Sequence, residues 1–318
     1  MTPDDALPLP LARAIGLLHC PVCGEDGLTA TGRRSRVAGL TCPSGHHWDA
    51  ARQGVVNLLT GAGTRFTPDS AGMVEARDRF LGAGHYAPIA SAVATAAHAA
   101  VHTAVTGPPA VLDAGAGTGY YLDAVLTALA RRAGEHEPVD QPAGGDAAPV
   151  AVATELSPAA LRRLARTLPT ALPLVWDTWR PLPLRDAAVD VVLAVFAPRN
   201  IPEFARVLAD DGVLVLVTPR PGHLEALREL TGMLAVEPDK EDRLHQALEG
   251  RFTVVAEQDV DVPLALSAAD AADAAFMGPA GHHASAEELA GRLTGVAAPI
   301  RVDARVTVHT LRPRARHR

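Results

Sequence analysis

The chain has 318 residues, of which 48% are hydrophobic and 20% charged. That length suits one large α/β domain with an attached module, or two domains, and that composition excludes a disordered or collagen-like chain. Aromatic residues are only 4% and the net charge is −7. The core must therefore be built from Ala, Val and Leu, and any RNA contact must use a local arginine patch.

The first ten residues, MTPDDALPLP, lack a basic stretch followed by an apolar one, so no signal peptide is expected. The longest uncharged stretch, residues 87–112, is Ala-rich and carries Pro, Ser, Thr, Gly and two His, unlike a membrane span. The expectation is a soluble, cytoplasmic protein. Residues 1–15 read as a loose leader and 16–60 as a small metal-stapled module. Residues 61–106 read as a helical linker and 107–318 as the main domain. In the linker, Asp69 or Ser70 can cap a helix starting near Ala71, and a second helical pattern covers 87–106.

The pattern then changes. Residues 109–115 (PAVLDAG) form a short apolar run ending in Gly, a buried-strand signal, and 120–132 read as a helix. Residues 150–155 give a second strand, after which Ser157 and Pro158 open a helix. Three further strands are expected at 172–176, 189–197 and 213–218, with helices near 202–209 and 222–234. Alternating strands and helices argue for a parallel, doubly wound sheet. Two late β-rich runs, 252–260 and 301–311, complete its far edge in partly antiparallel fashion. Residues 134–148 are polar and rich in Gly and Pro, as expected of a surface insertion. The last seven residues, RPRARHR, read as a solvated tail or a phosphate-contacting arm.

Two patterns carry chemistry. Cys20-Pro-Val-Cys23 and Cys42-Pro-Ser-Gly-His46 provide three thiolates and an imidazole, the ligands of a closed structural zinc site. His47 competes with His46 for the fourth place. His98 and His102 are four apart on a helix, but no third ligand accompanies them. The second pattern is Asp113-Ala-Gly115-Ala-Gly117-Thr-Gly119, between a strand and a helix. Its glycines let a ligand approach the backbone and leave N–H groups free at the helix start. The spacing is not that of dinucleotide folds. It resembles motif I of class I S-adenosylmethionine (SAM) methyltransferases, a Rossmann-like fold. A side chain added at Gly115 or Gly117 should then clash with the cofactor. Glu155, ending the second strand, can accept both ribose hydroxyls, and Asp177, after the third, would lie near the adenine. Read alone, either is a solvent-facing loop acid.

The combination of the two patterns is more specific. The run from His46 through Asp49, Gly54, Asn57 and Leu59, then Asp69 through Met73, Arg77, Phe80, Gly84, His85 and Tyr86, resembles the 23S rRNA (guanine-N1)-methyltransferase family, which includes tylosin- and mycinamicin-resistance enzymes. The likeness continues through Tyr120-Tyr121, Leu182-Pro183, Ala197-Pro198, Thr218-Pro219, Pro221, His223 and Leu224. It covers roughly residues 17–260 and weakens after about 265. It implies that the zinc ribbon recognises RNA and that Tyr86, Tyr120 and His223 join the glycine loop in binding SAM. It also implies that two subunits frame an RNA cleft. The substrate would be a hairpin in domain II of 23S rRNA, with position 748 favoured and a resistance role.

Guanine N1 carries a proton near neutral pH, so transfer needs a proton acceptor or donors that stabilise the O6 enolate. Asp49, Asp177 and His223 are candidate acceptors, and Arg199 can hold O6 or a phosphate. Arg33, Arg34 and Arg36, with Arg52 and Arg65, are the candidate RNA face. Two alternatives share parts of this pattern: a small-molecule SAM methyltransferase of antibiotic biosynthesis, and a non-catalytic zinc-ribbon RNA-binding protein.

Overall fold

The computed structural model describes residues 6–33, 35–61, 63–101, 107–136, 148–232 and 240–314. Thus most of the 134–148 insertion, residues 102–106 with His102, Arg34 and the last four residues of the arginine-rich tail lie outside the described residues. So does the side chain of Arg33.

The N-terminal module opens with α1 (Leu9–Gly16), followed by a three-stranded antiparallel sheet of β1 (Thr29–Arg33), β2 (Arg36–Thr41) and β3 (His47–Asp49). After β4 (Val56–Asn57) come α2 (Ala71–Gly82) and α3 (Ala87–Val101). Ser70 decides the start of α2, because its hydroxyl accepts the Met73 N–H at 3.2 Å. The main alternation is β5 (Ala110–Ala114), α4 (Tyr120–His136), β6 (Val150–Glu155), α5 (Pro158–Thr167), β7 (Ala171–Val175), β8 (Val189–Val195), α6 (Ile201–Val207) and β9 (Leu208–Pro219). Ser157 caps α5 and Pro158 fills its first turn. Then follow α7 (Glu225–Thr231), α8 (Lys240–Leu248), β10 (Phe252–Leu266), α9 (Ala268–Phe276), a 3₁₀ turn (Pro279–His282), α10 (Ala286–Arg292) and β11 (Ile300–Pro313).

The eight-stranded sheet runs β10-β11-β9-β8-β5-β6-β7-β4. Pairing is parallel from β4 to β9, while β11 is antiparallel to both its neighbours. The chain steps outward from β5 to β6 and β7, then returns to the other side of β5 for β8 and β9. Neighbouring connections leave in opposite directions at β5 and β8, which opens a crevice at their carboxyl ends. The result is a mixed α/β sheet, parallel through its centre and antiparallel at one edge.

Alternation along the strands feeds two apolar cores. Val111, Val191 and Val213 face α3, α4 and α5, whereas Leu112, Val192 and Leu214 face α1, the ribbon and α6. The second core overturns the expectation of a loose leader. From Leu9 that segment is helical, and Leu11, Ala14 and Ile15 are buried. The cause lies elsewhere in the chain. Residues 176–188, linking β7 to β8, form no helix, so the β6–β7 face needs a cover from another source. The 176–188 connection is tied to the residues just after α1 by backbone bonds: the His19 N–H donates to Pro183 O at 3.2 Å, and the Arg185 N–H to Leu17 O at 3.0 Å.

Candidate cofactor crevice and metal centre

In the ribbon, two tight turns bring Cys20, Cys23, Cys42 and His46 together, with all four ligand atoms within 4.8 Å of one another. His46 Nδ1 lies 3.2 Å from Cys42 Sγ and 3.6 Å from Cys20 Sγ, and Cys23 Sγ lies 3.9 Å from Cys42 Sγ. The edges of a tetrahedron around zinc, given metal–ligand bonds of about 2.0–2.3 Å, would be roughly 3.5–3.8 Å. The donor set and its spacing therefore fit a structural zinc ion. His47 turns away: its Nδ1 lies 2.8 Å from the Thr41 hydroxyl, and its Nε2 lies 3.1 Å from Asp49 Oδ1.

The glycine loop leaves β5 and enters α4. Gly115, Gly117 and Gly119 have φ of 85°, 53° and 86°, a region that side chains strain. The loop's N–H groups are mostly engaged inside the protein, contrary to the expectation of free donors. Those of Gly115 and Ala116 bond Thr154 O, that of Gly119 bonds Ala116 O, and that of Gly117 donates to Glu155 Oε2 at 3.0 Å. The loop thus offers close approach rather than a nest of open donors. A Cβ at Gly115 would lie 2.6 Å from Ala197 Cβ, a clash within the protein itself. A Cβ at Gly117 would meet nothing nearer than the Arg77 side chain, at 3.7 Å. The loop is packed against the end of β8 at Gly115 and open at Gly117.

Acids line the strand ends in sequence. Glu155 ends β6 and accepts the Ser157 N–H at 2.9 Å as well as that of Gly117. Each carboxylate oxygen retains a lone pair for a ligand hydroxyl. Burial raises the pKa of Glu155. Asp113, 3% exposed, is pushed up to about 8 by burial and then by the nearby Glu155 charge. Asp177, also buried, accepts the Thr64 hydroxyl at 2.7 Å and the Trp179 N–H at 3.0 Å.

The opposite wall is aromatic. Tyr86, Tyr121, Phe196 and His223 form a cluster, with Tyr86–Phe196 centroids at 6.0 Å, Tyr121–Phe196 at 6.3 Å and Phe196–His223 at 5.8 Å; Tyr120 packs edge-on against Tyr121 at 5.2 Å. The chain has three tyrosines, and all of them are here. In so aromatic-poor a sequence, that clustering was a signal the sequence reading used only in part. Phe196 holds φ at 54° at the tip of β8 with its side chain 41% exposed. Such strain costs about 1–3 kcal/mol and gathers at functional sites. His223 Nδ1 lies 2.9 Å from Arg305 O, and burial lowers its pKa to about 4, so the ring is neutral at physiological pH.

The structure brings Tyr86, Asp113, the three glycines, Tyr120, Glu155, Asp177 and His223 to one end of the sheet. Half-buried Arg199 follows Ala197-Pro198 there, and it has no hydrogen-bond partner among the described residues; burial lowers its pKa. Asp49 is not brought to the crevice: it lies on β3 with its side chain 93% exposed and engaged by His47. Arg65 stacks over Phe66 at 5.1 Å, and Phe66 and Trp179 are 37% and 52% exposed. Thr64 and Trp179 both bond Asp177, so these exposed rings flank its loop. The sequence reading did not single out Thr64, Tyr121, Phe196 or Trp179 as site residues.

No family model matches the chain. Three curated relatives do. A protein of Micromonospora griseorubida that carries the name 23S rRNA (guanine-N(1)-)-methyltransferase is 41% identical over 308 residues, which is 93% of this chain and 97% of its own length. The 23S rRNA (guanine(748)-N(1))-methyltransferase of Streptomyces fradiae is 36% identical over 93% of this chain and 96% of its own. A Bacillus subtilis protein with the same family name is 32% identical over 67% of this chain and 68% of its own. With relatives this similar over nearly its whole length, the chain belongs to the 23S rRNA (guanine-N1)-methyltransferases.

Proposed function

We propose that the protein transfers the methyl group of SAM to N1 of a guanine in a domain II hairpin of 23S rRNA, with position 748 favoured, and so confers resistance to macrolides of the tylosin and mycinamicin type. The observation that carries this reading is the crevice itself. Carboxylates end successive strands on one side, an aromatic wall stands on the other, and a Cys₃His ribbon belongs to the same fold. The guanine(748) name of the Streptomyces fradiae relative favours that position.

When bound, SAM supplies an electrophilic methyl group on a sulfonium. Glu155 would accept the ribose hydroxyls, Asp177 would border the adenine, and the open backbone at Gly117 would let the methionine part approach. The faces of Tyr86, Tyr121 and Phe196 suit a cation. The target base must leave its stack to reach the methyl. Arg199, a desolvated guanidinium with no partner among the described residues, would hold O6 and stabilise its developing charge as the N1 proton departs. Of the candidate acceptors, Asp177 already accepts two hydrogen bonds, whereas neutral His223 pins only its Nδ1.

Zinc would hold the ribbon as a folded unit, one ion per chain. Arg36, Arg52 and Arg65, with Arg33 and Arg34, would dock the hairpin, and the exposed rings of Phe66 and Trp179 would stack on splayed bases. Two copies would frame the cleft, in the cytoplasm where ribosomes are made. No helix among the described residues is long and apolar enough to cross a membrane. Primer-extension mapping of 23S rRNA from cells with and without the protein tests the reading: a new stop at guanine 748 is expected. A stop at a neighbouring guanine overturns the position. An unmodified rRNA with methylated macrolide would favour the small-molecule alternative.

A further inference from the structure

One cation faces the crevice from α2. Arg77 occupies that helix's buried stripe, four residues after Met73 and three before Phe80, both buried. A guanidinium on such a stripe needs a reason. Its Nη2 is engaged, 2.6 Å from Asp69 Oδ2 and 2.7 Å from Met277 O. Its Nη1 points the other way and is the nearest atom to a Cβ built on Gly117, at 3.7 Å. The same guanidinium lies close enough to Glu155 and Tyr121 for its charge to act on both. Arg77 is thus braced through Nη2 by Asp69 and Met277, while Nη1 faces the open part of the glycine loop.

We infer that Arg77 Nη1 forms the subsite for the α-carboxylate of the SAM methionine moiety, with Asp69 and Met277 O as the brace that aims it. This rests on the cofactor site proposed above. The chemistry matches the ligand, because the headgroup is a zwitterion. Glu155 supplies an acceptor near the loop for its ammonium, and the Arg77 guanidinium supplies the complementary cation for its carboxylate. Arginine suits this role because its planar, always-charged guanidinium holds Nη1 as a fixed charged donor while Nη2 stays on the brace.

The test is a binding cycle on the full chain with two ligands, SAM and decarboxylated SAM, read by calorimetry. A charge-assisted hydrogen bond of this kind is worth about 10- to 100-fold in affinity. Arg77→Met is expected to weaken SAM by that factor and to leave decarboxylated SAM nearly unchanged or tighter, so that the ratio of the two affinities collapses. Arg77→Lys, which keeps a charge and a donor, is expected to retain part of the ratio. The change in ratio isolates the carboxylate, because the two ligands differ in net charge in every variant alike. An unchanged ratio in Arg77→Met, with both ligands weakened together, makes Arg77 a structural brace and overturns the inference. Should Arg77→Met fail to fold, Arg77→Lys and Asp69→Asn decide: the ratio is expected to fall in both, and a parental ratio in both would also overturn the inference. If the parent chain binds neither ligand, the cofactor assignment itself falls, a result distinct from either of these.

Discussion

The ribbon and the crevice stand at opposite ends of a scale of self-sufficiency. The ribbon strands β1, β2 and β3 have five, six and three residues, too few to bury a core of their own. Beside them, four side-chain atoms that could hold a metal ion gather within 4.8 Å of one another. The crevice stands on eight strands with an apolar core on each face, and its acids and aromatics project from the strand ends. The two regions are nonetheless not independent. Leu18, Cys20, Leu40 and Cys42 share one buried cluster with Leu172, Leu182 and Leu184 of the sheet side. A small module built around a candidate metal site is thereby also the lid on a sheet face that the 176–188 connection leaves without a helix.

The strongest way to break that comparison is to remove a ligand. Structural zinc contributes on the order of 10 kcal/mol to the folding of small metal modules. Cys20→Ser is expected to lose the metal, to unfold the ribbon and to abolish hairpin binding. SAM binding is expected to be largely retained, but the melting temperature of the whole chain should fall because the second core is shared. Metal analysis and calorimetric melting check this. A metal-free parent chain with full activity would refute it.

The next test probes the crevice with the ribbon untouched. Gly115→Arg is expected to abolish SAM binding and also to destabilise the fold, since even its Cβ would meet Ala197 and overpacking typically costs about 1–3 kcal/mol. Gly117→Val is the cleaner variant. It faces open space, so binding should be lost with only the modest strain of a side chain at positive φ, about 1–2 kcal/mol. SAM titration beside thermal melting separates the two effects.

A smaller effect follows from the buried acid at the crevice. Asp113 keeps its proton in the folded chain up to about pH 8, but in the unfolded chain only below about pH 4. The folded state therefore carries the extra proton between those values. Stability of the ligand-free protein should fall as pH rises across that window and level off above it. Asp113→Asn should flatten this dependence and gain stability relative to the parent near pH 8, as urea denaturation at several pH values would reveal. The same slope in the variant would remove Asp113 as its source.

The smallest effect concerns the arginines. Replacing Arg36, Arg52 and Arg65 together by Ala should weaken hairpin binding and make its salt dependence shallower, by roughly 0.7–0.9 for each phosphate that an arginine no longer neutralises. An unchanged slope in filter-binding titrations would move the RNA face elsewhere, beginning with the arginine-rich tail.

Much of the fold was legible because local chemistry and tertiary position agree. The glycine loop, the strand at residues 150–155, the Ser157-Pro158 helix start and the late antiparallel pair all follow from short-range patterns, and Cys20, Cys23, Cys42 and His46 declare themselves by spacing. The leader was misread because a Pro-flanked eight-residue helix has too short a period to stand out. The short helices α8, α9 and α10 went unread, since Ala-rich or polar stretches show no clear apolar stripe. Arg77 was visible only as a letter in a family-like run. Its one local signal, a cation on an otherwise buried helix face, acquires meaning once Gly117 is known to lie beside it.

By itself, the sequence determined the main strand–helix alternation from β5 to β9, where the backbone must turn through glycine, and which side chains can hold a metal. These are properties of a few neighbouring residues. The tertiary structure alone decided that the leader and ribbon cover the bare face of β6 and β7, that His46 rather than His47 turns toward the thiols, and that three tyrosines meet at one strand end. It also decided that the loop spends most of its N–H groups on Thr154 and Glu155. Each of these depends on contacts between residues tens to hundreds of positions apart, whose pairing is fixed by burying apolar surface on both faces of one sheet rather than by any preference of the chain nearby.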